Sequence, residues 1–142
     1  MNKPCDATVQ AWINLLRAQR SALGSVESAL RSADLPPLEW YDVLLELDRG
    51  GPVRPRDLQE RLLLRQSNVS RLLDRMEAKG TVERSRCADD ARGQLVCATD
   101  KGKALRRRMW ATYSAAIERA IGARLSEAEA RQLAGLLSRL EC

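Results

Sequence analysis

Arg65-Gln66-Ser67-Asn68-Val69-Ser70-Arg71-Leu72-Leu73-Asp74-Arg75-Met76-Glu77-Ala78-Lys79, closed by Gly80, is the stretch on which the reading of the fold turns. Val69, Leu72, Leu73 and Met76 recur at intervals of three and four, which predicts a helix with one apolar stripe. The other face holds Gln66, Ser67, Asn68, Ser70, Arg71 and Arg75, short amides and hydroxyls with two guanidinium groups. Those are the side chains that reach base edges and phosphates from a helix lying in a major groove. On an isolated helix the same face would read as an ordinary wet surface. Gly80 suits the left-handed residue that ends a helix, and Thr81-Val82 begins a strand-like run.

The neighbours decide between the two readings. Upstream, Pro55 is well placed as the first residue of a short helix, because its missing N–H would be unpaired there in any case. Leu58, Leu62 and Leu63 give that helix an inner face, and Leu64-Arg65 leaves room only for a turn. Two short helices joined by a tight turn, the second polar on its outer face, make a helix-turn-helix pattern. Downstream, Thr81 to Arg86 and Gln94 to Ala98 read as two strands. The Asp-rich segment between them ends in Gly93, which suits a hairpin tip. The hairpin is then a wing, with Arg84 and Arg86 on its first strand and Arg92 at its tip.

Further out, Gly50-Gly51-Pro52 ends a helix that starts near Leu38, and Val53-Arg54 can form only a short extended piece. Trp40, Tyr41, Val43, Leu44, Leu45 and Leu47 leave that helix little polar surface, so it belongs in the core. Leu35-Pro36-Pro37 separates it from a long amphipathic helix over residues 6 to 32. On the far side of the wing, a helix is expected from Asp100 to Ala123, with Thr99 and Asp100 at its start. Ser126-Glu-Ala-Glu129 reads as a capping box before a last helix whose Leu133, Leu136, Leu137 and Leu140 point inward.

The expected fold is therefore mainly α, a single domain over 1–142. Residues 36–102 form a winged helix-turn-helix lobe, and residues 1–35 and 103–142 supply long terminal helices. A compact winged helix does not need those helices. Their apolar stripes require a cover, and another copy of the same chain is the economical one.

Composition agrees with a nucleic-acid surface on an ordinary globule. The net charge is +5, and residues 54–108 hold 15 Lys and Arg against 8 Asp and Glu, a net of +7. The remainder carries 9 against 11, a net of −2, so the basic charge is concentrated in the middle of the chain. With no His, a Ser-His triad, a His general base and a His-supported metal site are excluded. Cys5, Cys87, Cys97 and Cys142 include no C-x-x-C pair, so no structural zinc site is expected, and no cofactor is indicated. No apolar run is long enough to span a membrane and no export signal is evident, so a cytoplasmic protein with free thiols is expected. An enzyme is not expected, since neither a phosphate-cradling Gly-rich loop nor clustered carboxylates in an apolar setting are visible.

The order of elements, and Gly80, Val82, Arg84, Asp90, Arg92, Val96, Thr99 and Gly102 within it, resemble the MarR family of bacterial transcriptional regulators. Val69-Ser-Arg-Leu-Leu-Asp-Arg75 is similar to that family's recognition helix. Departures exist: Cys87-Ala88 stands where the family has Asp-Pro, and Ala91 where it has the first Arg of a pair. Arg65 and Arg54 stand where a Ser or Thr cap is common, which costs about 1 kcal/mol each at typical cap values. A phosphate beside Arg65 would offset its opposition to the helix dipole.

The resemblance implies a homodimer whose recognition helices enter successive major grooves of a near-palindromic operator in double-stranded DNA, usually as a repressor. Gln66, Ser67, Asn68 and Arg71 would face bases, with Ser70, Arg75 and Arg65 nearer phosphates. Arg92 would enter a minor groove unless it pairs with Asp89 or Asp90. The family's small anionic effectors imply a cleft, for which Trp12, Trp40 and Tyr41 are candidate walls and Arg17 and Arg20 candidate carboxylate ligands. The same aromatics could equally be core. Two further readings stay open: a thiol-responsive regulator that cross-links Cys5 and Cys142, and a winged helix that only contacts proteins. A Cys87–Cys97 pair is disfavoured if residue 87 pairs with 94, which turns Cys97 to the other face.

Overall fold

The computed structural model describes residues 2–86 and 94–141, with Arg86 described by its backbone alone. The elements are α1 (Asp6–Ser32), α2 (Leu38–Gly50), α3 (Pro55–Arg61), α4 (Val69–Ala78), β1 (Val82–Arg86), β2 (Gln94–Ala98), α5 (Asp100–Ile117), a π-helical turn (Glu118–Gly122) and α6 (Glu127–Ser138). They group into two compact units, one of residues 34–111 and one of residues 1–33 with 112–142. The expected mainly α winged helix is therefore the architecture found.

In the 34–111 unit, α2 lies in the middle, as its nearly continuous apolar surface requires. Leu38, Val43, Leu44 and Leu47 are all buried. Leu58 of α3 and Leu72, Leu73 and Met76 of α4 are fully enclosed, so each short helix spends its whole apolar stripe on the core. β1 and β2 pair antiparallel with Val82 opposite Ala98 and Arg86 opposite Gln94. That register is one residue away from pairing 87 with 94, and it places Glu83 opposite Cys97. Cys87 lies outside the described residues. The extended piece at Val53 reaches this sheet as a single bridge, its N–H and carbonyl both bonded to Val96 at 3.1 and 2.8 Å.

The first half of α5 packs into this unit. Leu105 and Met109 are buried, Arg106 Nη2 lies 2.9 Å from Asp48 Oδ2, and the Trp110 ring stacks on Tyr41 at 5.9 Å between centroids.

Three local expectations need correction. The helix presumed to begin at Arg65 begins at Val69, because the Asn68 side chain accepts the Arg71 N–H at 2.9 Å and caps it there. Arg65, Gln66 and Ser67 consequently belong to the turn. Leu63, expected inside, is 79% exposed, since α3 ends at Arg61 and the chain has already left the helix. The long helix after the wing changes at Glu118 into a π turn, with the Ala123 N–H bonded to the Glu118 carbonyl at 2.7 Å.

In the other unit, Val26, Leu30 and Ala116 are buried, and the Ser126–Glu129 capping box forms as the sequence indicates. Its Ser126 N–H and hydroxyl hold the exposed Glu129 carboxyl below the usual carboxylate range. Several large apolar side chains here stay in the open. Trp12 is 61% exposed, Leu136 49% and Leu140 64%, and they border a groove of about 700 Å³ with Leu15, Leu133 and Leu137. The α6 leucines expected to point inward are thus uncovered in the single chain.

Candidate nucleic-acid interface

The polar face of α4 is fixed at both ends and along its length. At the start, Asp42 of α2 is buried and its two carboxylate oxygens accept the N–H groups of Leu63 and Leu64, at 3.0 and 2.7 Å. One charged side chain therefore sets the path of the turn between α3 and α4. At the end, Gly80 takes φ of 76°, a left-handed conformation that costs a glycine little. The Gly80 and Thr81 N–H groups then return to the carbonyls of Glu77 and Met76 at 2.9 and 3.0 Å, which closes a Schellman cap.

The wing is tied to the same helix. Arg84 of β1 pairs through Nη2 with Asp74 and donates to the Ser70 carbonyl at 3.2 Å, while its backbone N–H donates to Glu77 Oε2 at 3.1 Å. Thr99 completes the frame. Its hydroxyl donates to the Gly80 carbonyl at 2.6 Å and accepts the Gly102 N–H at 3.1 Å, so one side chain joins the end of α4 to the start of α5.

With that frame in place, Arg65, Ser67, Asn68, Ser70, Arg71 and Arg75 are exposed and Gln66 is half-buried. Three of the expected contacts change character. Asn68 has spent its carbonyl oxygen on the cap, which leaves its amide NH₂ as a donor toward an outside acceptor. Arg75 has Glu39 as a partner at 3.5 Å. Arg84 is turned onto Asp74 with its side chain 17% exposed, so it braces the wing instead of offering a free charge. Arg92 and the side chain of Arg86 lie outside the described residues.

The brace is testable. Removing Arg84 or Asp74 should each lower stability by roughly 1 kcal/mol, a value held down by the exposure of Asp74. A double-mutant cycle read by thermal melting should give a coupling of at least about 0.5 kcal/mol. Additive losses would mean that the two side chains do not act on each other.

The residues expected to line an effector cleft separate by environment. Trp40 and Tyr41 are buried, at 9% and 6% exposure, and Tyr41 is stacked on Trp110, so both contribute to the core of the 34–111 unit. Trp12 borders the leucine-lined groove of the other unit, and Arg17 and Arg20 are exposed on α1. Sequence reasoning missed Asp42, although a lone carboxylate in the apolar run of α2 was a usable signal. It also missed Asp74, which periodicity places on a wet face.

Among the described residues no group of His, Cys, Asp or Glu is arranged to hold a metal ion, and no helix is long and apolar enough to cross a membrane. Cys5 is exposed and free, and its hydrogen bond with Thr8, at 3.3 Å between Sγ and Oγ1, holds the thiol below its ordinary value. Cys142 lies outside the described residues.

Comparison with known proteins places this arrangement. Residues 33–93 match the family model described as MarR family. The chain is 29% identical over 103 residues to the uncharacterized HTH-type transcriptional regulator YfiV of Bacillus subtilis. That match covers 71% of this chain and 62% of YfiV, so the chain spans less than two thirds of that relative's length. The fold is shared with Sco3205, a MarR family transcriptional regulator from Streptomyces coelicolor solved in complex with DNA. The TM-score is 0.87 at 22% identity, covering 99% of this chain and 89% of that one. It is also shared with BpsR of Bordetella bronchiseptica, whose DNA binding is regulated by 6-hydroxynicotinic acid. There the TM-score is 0.83 at 22% identity, covering 97% of each chain.

Proposed function

We propose that this chain, whose residues 33–93 match the family model described as MarR family, is a cytoplasmic, sequence-specific DNA-binding repressor that works as a homodimer on a near-palindromic operator. The observation that carries the reading is the exposed polar face of α4, held by Asp42 before it, capped by Asn68 and braced by the wing through Arg84. A helix that must fit a groove has to be positioned before contact, and this one is fixed from three directions.

Arg71, with Gln66, Ser67 and the Asn68 amide, reads base edges. Ser70, Arg65 and Arg75 neutralise phosphates, and Arg92 and Arg86 on the wing add contacts in the adjacent minor groove. Two copies join through α1 and α6, whose uncovered Trp12, Leu136, Leu137 and Leu140 would otherwise stand in water. A small organic acid is the proposed releasing signal, in keeping with the regulation of BpsR by 6-hydroxynicotinic acid.

The test uses a duplex selected by the protein from a random pool, with affinity measured by fluorescence anisotropy at fixed salt. Arg71→Ala should weaken binding to the selected duplex about tenfold and binding to a scrambled duplex much less. Arg92→Ala should also weaken the selected complex about tenfold, with the dimer intact, and should reduce the slope of affinity against salt by about one charge. If both variants bind as the parent does, the α4 face and the wing tip are not the DNA surface.

A further inference from the structure

Within the unit of residues 1–33 and 112–142, a cavity of about 530 Å³ opens between the second half of α1 and the π turn. α1 contributes Gly24, Ser25 and Ser28, and the opposite wall carries Arg119, Ala120 and Arg124. The small side chains leave the space. The lining therefore holds two guanidinium groups and two hydroxyls, and no carboxylate.

The backbone brings the two arginines together. In an α-helix residues five apart point about 140° away from each other. Here the Ala123 N–H bonds the Glu118 carbonyl, an i→i+5 bond, and the Arg124 N–H bonds the Ile121 carbonyl at 3.0 Å, so the chain leaves the α-helical path between the two arginines. Arg119 and Arg124, five apart, then face one cavity. Inserting a π turn into a helix weakens its regular bonding, and such turns occur often at functional sites. Both arginines are exposed, and among the described residues neither has a carboxylate partner. Glu118, the acid nearest in sequence, lies along its own helix, where the missing side chain of Gly122 leaves room for its carboxylate.

We propose that this cavity binds a small oxyanion bearing two or more negative charges, as carboxylates or as a phosphate. Two forked donors match such groups bidentately, and Ser25 and Ser28 complete the hydrogen bonding. The volume falls in the range of sites for small molecules, about 300 to 1,000 Å³. The lining contains no aromatic ring, which selects a compact polar anion over an aromatic acid. The site does not depend on the DNA-binding reading and is tested on the free protein.

The experiment follows the thermal midpoint of the full chain in citrate, in orthophosphate and in sodium chloride of equal ionic strength. Citrate or orthophosphate should raise the midpoint by about 3 °C at ten times its Kd, and the anion that does so identifies the preferred group. Arg119→Gln with Arg124→Gln should abolish the rise. Ala120→Leu, which fills the cavity and keeps both charges, should abolish it too. Arg107→Gln with Arg108→Gln, two exposed arginines of α5 outside the cavity, should leave it intact. Absence of a rise with both anions overturns the proposal. A rise that persists in the Arg119/Arg124 or Ala120 variant also overturns it, because general exclusion of such salts from protein surfaces would then account for the effect.

Discussion

Gly102→Ala should destabilise the 34–111 unit by about 3 kcal/mol, at the upper end of the usual cost of overpacking, and lower the thermal midpoint by roughly 10 °C. A Cβ built on Gly102 runs into the carbonyl oxygen of Thr81 and meets Leu44 Cδ2 at 3.0 Å. Neither neighbour can yield cheaply. The Thr81 oxygen accepts the Thr99 N–H at 3.1 Å, and Leu44 is 1% exposed in the middle of the core. Moving α5 away instead would stretch the bond from the Gly102 N–H to the Thr99 hydroxyl, and with it the link to Gly80. Gly24→Ala is the matched control, since its Cβ would meet nothing within 4 Å and a mid-helix alanine is favoured by up to about 1 kcal/mol. Thermal melting of both variants checks the contrast. An unchanged midpoint for Gly102→Ala would contradict the close approach of α5 to Thr81.

Asp42→Ala should cost about 2 kcal/mol, measured by urea unfolding, and should reduce affinity for the selected duplex roughly tenfold where the variant is still folded. The carboxylate accepts two backbone N–H groups at once. Removing it frees the turn that aims α4, so function suffers beyond the lost stability. The loss stays near this value because Leu63 is exposed and water can take over part of the bonding. Asp42→Asn should fall between the parent and Asp42→Ala, since an amide offers one acceptor oxygen and one unsuitable donor. Equal stability of parent and Asp42→Ala would mean that the turn holds its path without the side chain.

Those two residues also show what could be read from the chain and what could not. Gly102 was visible as one of several spaced positions resembling a known family, but the reason for it, a carbonyl oxygen from a residue 21 positions earlier, is a tertiary fact. Helix periodicity located α2 and the apolar stripe of α4 because burial there follows the repeat of 3.6 residues. The cap of α4 lies three residues beyond Arg65, where the sequence placed it, since Gln66, Ser67 and Asn68 are each acceptable near a helix start. The choice of Asn68 as cap depends on where Asp42 sends the turn. Arg84 read as a free charge on a basic strand. Its partner Asp74 sits ten residues earlier on another element, beyond the reach of local pattern. The aromatic residues Trp40 and Tyr41 read from the sequence as either core or cleft; the fold buries both and stacks Tyr41 on Trp110. The cavity at Arg119 and Arg124 was invisible, because the helix expected from Asp100 to Ala123 stops short of Arg124 and nothing local in the sequence signals the π turn at Glu118.

The central claim, that α4 and the wing read a DNA sequence, is tested most directly by one comparison. Duplexes selected from a random pool and scrambled duplexes of equal length are titrated with the protein at the same salt concentration. The expected result is a preference of at least about a thousandfold for the selected duplex, with inverted half-sites about one helical turn apart. Equal affinity for both duplexes would contradict it, since phosphate contacts alone hold all sequences alike.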